Sequence, residues 1–279
     1  MILGLAFGLC VWGQDLKEAE RLYTHTDYEG ALRQLRAVRS PGIAEYMLMG
    51  KCSLMQGEFR KATDYFQQAV NLDPKNSDAM LWLGRSWAHR AESASPLVAP
   101  LNASHARTCF EQAVALNTNP QNHEAMDDLF DYYLEAPGFL GGGFDKAEAL
   151  AARIERVDAA QGHYDRAEIA RKRKEFGQSE QELRRAVQLA PREVGHLMAL
   201  AGFLAHQGRI QESDAVLAQA AKTAPGNPRL LYGQAQIYVE THRNLDQARA
   251  LLRQYLRCDL TPDDPSRDEA RKLLKQAGA

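Results

Sequence analysis

Three consecutive glycines, Gly141 to Gly143, stand just ahead of a helix-like pattern in this 279-residue chain. A glycine-rich loop feeding a helix is one way to hold phosphate, because free N–H groups and the helix dipole both favour an anion. The stretch Ala136-Pro137-Gly138-Phe139-Leu140-Gly141-Gly142-Gly143 departs from that chemistry: no Lys-Ser/Thr pair closes it, its spacing is not GxGxxG, and no strand pattern precedes it. Asp145 at the helix entry would compete with any anion for the same N–H groups. The residues therefore describe a long turn in which Phe139, Leu140 or Phe144 packs onto a neighbour, or else a rigid apolar loop that touches a partner.

Other chemistry-bearing residues are scattered. The eight histidines, His25, His89, His105, His123, His163, His196, His206 and His242, include no HExxH and no i, i+4 pair, so no metal site is expected. His89 and His105 flank one irregular segment and could meet, but no third ligand is specified. The four cysteines, Cys10, Cys52, Cys109 and Cys258, form no CxxC pair, and Cys52 and Cys109 sit among apolar residues as buried thiols do. No Ser/His/Asp or Cys/His signature is present, and no cofactor is implied. Arg171 to Lys174, "RKRK", is the densest basic run. On a helix its residues do not share a face, which suits a solvated helix end near a turn at Gly177 and not a nucleic-acid grip. Asn102 opens an N-glycosylation sequon, "NAS".

The elements that carry these residues follow from composition. Arg, Ala, Leu, Gln and Glu abound while runs of Val, Ile and Thr are missing, so the chain reads as all-α. Residues 1–150 hold 13 Lys+Arg against 19 Asp+Glu, and residues 151–279 hold 21 against 17, an imbalance that fits solvated helix faces and could orient a charged protein partner. The opening "MILGLAFGLCVWGQDL" is apolar from Ile2 to Trp12, too short to span a bilayer. Residues 1–13 are either a secretory signal, with a cut near Gln14 that would make the chain secreted or periplasmic, or a first packed helix of a cytoplasmic chain. The absence of Lys or Arg before the apolar run weighs against the signal.

Self-similarity organises the remainder. Gly208, Ile210, Ser213, Leu217, Ala220 and Pro225 repeat the kinds and spacing of Gly57, Phe59, Ala62, Phe66, Ala69 and Pro74. Small residues such as Gly50, Ala62 and Ala69 let two antiparallel helices approach, and Tyr46, Met49 and Phe66 fill the gaps. The glycine ends the first helix, and the proline stops the second. With Pro191 and Pro225 one 34-residue period apart, the chain resembles the tetratricopeptide repeat family. The resemblance implies a right-handed superhelical solenoid of about seven helix-turn-helix units at about 15–42, 43–76, 77–120, 121–159, 160–193, 194–227 and 228–262. Residues 263–279, entered through Asp264-Pro265-Ser266, would form a solvating cap helix.

Two units are longer than the period. Trp87 to Ala106 carries about ten extra residues and Tyr133 to Ala147 about five, at the same turn of adjacent units, so both turns, at 90–104 and 136–143, should protrude on one side. In the family the first helices of successive units line a concave groove for a segment of a partner protein. Its columns fall here on Lys51, Trp82, Arg85, Asp127, Asp131, Glu168, Arg171, Met198, Tyr232 and Gln236, of which Trp82 and Tyr232 could instead pack between repeats. The family's Lys/Asn clamp for a C-terminal carboxylate is not expected, since its columns hold Met47 with Lys51 and Tyr164 with Glu168. Asp127, Asp128 and Asp131 would give the groove an acidic centre suited to a basic segment. The function implied is a non-enzymatic scaffold that binds a protein or peptide partner, for cell-envelope or secretion assembly. Rival readings are an accessory protein that holds a small ligand at the enlarged turns, and a structural oligomer.

Overall fold

The computed structural model describes residues 6–119 and 121–278, with side chains from Asp15 onward. The signal-like stretch 1–13 thus lies outside the described residues up to position 5, and beyond it only the backbone is described. Among the described residues the regular structure is fifteen α-helices and one 3-10 turn, Gly138–Leu140, with no strand. The chain divides into two compact units, up to Ala147 and from Glu148 on.

The first unit contains α1 (Ala6–Thr24), α2 (Tyr28–Arg36), α3 (Ile43–Met55), α4 (Phe59–Leu72), α5 (Ser77–Glu92), α6 (Ala99–Leu116) and α7 (Glu124–Glu135), and the division falls inside α8 (Phe144–Ile154). The second continues with α9 (Ala159–Lys172), α10 (Phe176–Leu189), α11 (Val194–His206), α12 (Ile210–Thr223), α13 (Pro228–Glu240), α14 (Leu245–Tyr255) and α15 (Arg267–Gln276). Within the units α1 packs on α2, α3 on α4, α5 on α6, α9 on α10, α11 on α12 and α13 on α14, and α15 closes the end against α13 and α14.

Small residues make this pairing possible. Ala31, Ala62, Ser213 and Ala248 occupy one column in the first turn of their helices, Ala106 holds the same column further along the lengthened α6, and all are fully buried. An added Cβ on Gly50 or Gly84 would stand 2.5 or 2.7 Å from the ring of Phe66 or Phe110, so the aromatic side chain of the second helix lies directly on the backbone of the first. Helix starts are set by side chains that take the free N–H groups: Asp27, Asn76 and Asp158 accept from Gly30, Ala79 and Gln161, and Ser266 forms a capping box with Glu269.

Five hairpins turn in one way. The N–H groups of Asp27, Glu58, Glu175, Arg209 and Arg243 donate five residues back, to the carbonyls of Leu22, Ser53, Ala170, Leu204 and Tyr238, at 2.8–2.9 Å. The residue before each donor is left-handed: Thr26, Gly57, Lys174, Gly208 and His242, with φ between 50° and 75°. The basic run at 171–174 therefore turns at Lys174 and not near Gly177, which lies inside α10.

The longer irregular segment does not form the protruding loop that its length suggests. Compared with α3 and α4, of 13 and 14 residues, α5 and α6 have 16 and 18, so most of the extra chain continues the two helices and only a modest turn at 93–98 remains. Asn102 lies on α6, buried, with its Nδ2 donating to the Arg90 carbonyl, so its sequon offers no accessible amide in the folded chain.

Candidate functional site

The glycine turn between α7 and α8 is built to hold its own shape. The N–H groups of Leu140, Gly141, Gly142 and Gly143 donate to Pro137, Gly138, Pro137 and Tyr133 carbonyls, which leaves none of the four to cradle a phosphate. Gly141 and Gly143 have φ of 88° and 147°, and a Cβ on Gly142 would stand 1.9 Å from the Ala136 carbonyl oxygen. Arg107 Nη1 and the Tyr132 hydroxyl both donate to the Leu140 carbonyl, at 3.1 and 2.9 Å, and Lys146 donates to that of Gly141. Phe139, expected among the packing residues, is 83% exposed, and it is Leu140 that turns inward.

Behind this turn α5, α6 and α7 enclose a cleft of about 550 Å3. Arg85, Asp128, Asp131 and Tyr132 line it with the apolar Ala88, Phe110, Pro137 and Leu140. Arg85 reaches Asp128 at 2.5 Å and Glu124 at 2.8 Å. Burial pushes the Asp128 carboxyl above its ordinary range, against the pull of Arg85. Asp127 meets His123 Nδ1 at 2.7 Å. The acidic centre expected from three neighbouring aspartates is thus divided, because Asp127 and Asp128 each face a basic side chain and do not present their charge jointly. On the adjoining helices Lys51 Nζ lies 4.5 Å and Arg85 Cζ 4.6 Å from the ring centre of Trp82, which stacks on Phe66.

A second cleft, of about 600 Å3, belongs to the second unit and runs across α9, α11 and α13. Four of the sequence-derived contacts gather there: Glu168, Arg171, Met198 and Gln236. Met198, Gly202, Phe203, Gly233 and Ile237 are apolar, while Glu168 with Arg171 and Glu240 with Gln236 and His206 form hydrogen-bonded polar pairs. Gly202 occupies the helix position equivalent to Lys51, and a Cβ there would meet nothing closer than Ile237 at 3.7 Å. Sequence reasoning passed over it because glycine offers no side chain to make a contact, yet that missing side chain is what opens the cleft. Tyr232 is not among the lining residues and packs instead against Tyr255, with ring centres 5.4 Å apart.

The remaining polar residues serve packing. His89 and His105 do not meet: His89 stacks on Phe59 and bonds Glu92, while His105 stacks on Trp87. No group of three metal-ligating side chains occurs among the described residues, and no helix there is long and apolar enough to cross a membrane. Burial pushes the Cys52 and Cys109 thiols up to about 12 and about 11, as expected of packing thiols.

Residues 43–76 and 204–265 each match a family model described as a tetratricopeptide repeat. Among solved structures the chain is similar to a tetratricopeptide repeat protein from Parabacteroides merdae, 14% identical with a TM-score of 0.60, over 96% of this chain and 99% of that one. It is similar to a thermophilic tetratricopeptide repeat protein of Thermus thermophilus, 16% identical with a TM-score of 0.55, over 69% of this chain and 98% of that one. Yeast Tom70 matches at 18% identity with a TM-score of 0.59, over 91% of this chain and 49% of that one. At these identities the likeness is one of fold. No curated protein matches the chain.

Proposed function

We propose, from the premise that the chain belongs to the tetratricopeptide repeat family, that it holds a segment of a protein partner in the cleft across α9, α11 and α13. The fold supports a protein-interaction scaffold in general. The finer reading rests on one observation: four groove positions from three successive repeats surround an apolar floor opened by Gly202. Such a floor suits one or two large apolar side chains of a helical or extended segment, and the paired polar rim suits its backbone and flanking polar groups. In this reading the chain contributes surface and no catalysis.

Peptides displayed on phage and selected on the full chain test the site. They should lose binding to Gly202→Phe, which fills the cleft, and keep it to Phe139→Ser on the glycine turn. Peptides held equally well by Gly202→Phe would refute the groove. We further propose that the opening apolar run directs export to the cell envelope. An alkaline phosphatase fused after Gln14 should then be active outside the cytoplasm, and an inactive fusion would remove that part of the reading.

A further inference from the structure

The turn between α5 and α6 presents apolar side chains that nothing in the first unit covers. Leu97 is 93% exposed, Leu101 61% and Val98 47%. Scattered single apolar residues on a surface need no explanation, but three within five residues, Leu97 and Val98 on the turn and Leu101 in the first turn of α6, form a patch. Their chemical setting is also distinctive. From Ser93 to Phe110 the chain contains no Asp or Glu, although it holds 36 in all and its first 150 residues carry a surplus of acid.

Cations stand beside the patch. Val98 shares a concave surface of about 540 Å3 with Arg60 and Arg90, from α4 and α5, and with Ser93, Lys61 and Glu58. Lys61 pairs with Glu58 at 2.7 Å, while among the described residues no carboxylate lies within ion-pair distance of Arg60 or Arg90. Both guanidinium groups border the same concave surface. Burial and then Arg60 lower the proton affinity of Arg90, an effect that Asp64 partly offsets. Arg90 also lies 4.0 Å over the ring of Trp87, whose other contact is His105. Two unpaired arginines held near each other are stabilised by an anion between them.

Exposed aliphatic side chains at a turn and the helix start after it, flanked by two cations without an ion-pair partner and by a Glu58 carboxylate that Lys61 neutralises, match a surface that is apolar within and anionic without. We infer that this edge docks on a membrane rich in anionic lipid, with Leu97, Val98 and Leu101 entering the interfacial layer and Arg60 and Arg90 meeting lipid phosphates. A protein groove would need to enclose Leu97 from all sides. A bilayer does so without a shaped partner. This surface is separate from the cleft on α9, α11 and α13, so either one stands if the other fails.

Co-sedimentation of the full chain with vesicles tests the inference. Binding should be strong to phosphatidylcholine mixed with phosphatidylglycerol, weak to phosphatidylcholine alone, and reduced by high salt. Both Arg60→Glu with Arg90→Gln and Leu97→Ser with Leu101→Ser should weaken it by about tenfold or more, with circular dichroism used to confirm the fold of each variant, because Arg90 is half-buried over Trp87 while the other three side chains are exposed. Free glycerol phosphate should not compete, since it lacks the apolar layer. Binding that neither double variant alters, as insertion of the apolar run at 2–12 alone would produce, overturns the inference. So does a leucine-dependent dimer in sedimentation velocity without vesicle binding, which would assign the patch to a second copy of the chain.

Discussion

Replacing Gly84 or Gly202 by alanine is one chemical change in two helices of equivalent position, and the account predicts opposite signs. On α5 the new Cβ of Gly84→Ala would stand 2.7 Å from two ring atoms of Phe110 and 3.2 Å from the Cys109 Cβ. Carbon atoms rest at about 3.5–4.0 Å, so ring and helix must separate by nearly ~1 Å. Phe110 is buried, and its ring can yield only toward the cleft behind the glycine turn that it borders. Overpacking of this kind costs about 1–3 kcal/mol, while removing a glycine from a helix interior returns about 0.5–1 kcal/mol. At mid-range a net loss of about 1 kcal/mol follows. On α11 the Cβ of Gly202→Ala meets Ile237 at 3.7 and 3.8 Å, ordinary contact distances, so the helix gain of about 0.5–1 kcal/mol remains. Urea unfolding followed by far-ultraviolet circular dichroism measures both variants, fitted with two transitions if the units melt separately. Equal stability of Gly84→Ala and wild type, or a loss in Gly202→Ala as large as that in Gly84→Ala, would refute the packing argument.

Lys174→Gly should raise stability by about 0.5–1 kcal/mol, because φ of 63° strains a side-chain-bearing residue where Gly57 and Gly208 serve two other hairpins; an unchanged urea midpoint would contradict it. His196 is buried against Tyr164 with its Nδ1 unpartnered, and burial lowers its proton affinity in the fold. The unfolded chain therefore binds the proton more readily, so stability is complete above the ordinary histidine value and falls as pH drops below about 6.5. His196→Phe, which keeps the ring stacking, should flatten the wild-type fall between pH 7 and 5, and a slope unaltered by the substitution would show that other groups carry it. Cys52 and Cys109 should resist a thiol reagent at mildly alkaline pH until the chain unfolds, with half-exposed Cys258 labelled first; peptide mass spectrometry of the labelled native chain decides this.

What could be read in advance was what depends on side-chain volume. Ala62, Ala106 and Ser213 had to be small because two helix backbones meet there, and all three are fully buried. Turns closed by backbone hydrogen bonds left a fainter trace: Thr26, Lys174 and His242 take the left-handed position that glycine takes elsewhere, because the closing bond to the carbonyl five residues back needs no particular side chain. Chain length alone could not distribute the extra residues around 90–104, since three more residues on α5 and four on α6 cost no new turn and keep every backbone group bonded. The salt bridge of Arg85 with Asp128 spans 43 positions, a partnership only the packing of α5 near α7 creates. Gly202 went unread for a different reason, because its contribution is room and sequence columns register only what is present.

Methionine methyl resonances offer the most direct measurement of the proposed groove. The chain has seven methionines, and among the described residues Met198 is the one that lines the cleft across α9, α11 and α13. Titrating a selected peptide into chain labelled at the methionine methyls should shift the Met198 signal in a saturable way while the buried Met47, Met49 and Met80 of the first unit stay in place. A peptide that binds with Met198 unmoved would place the partner elsewhere and contradict the account.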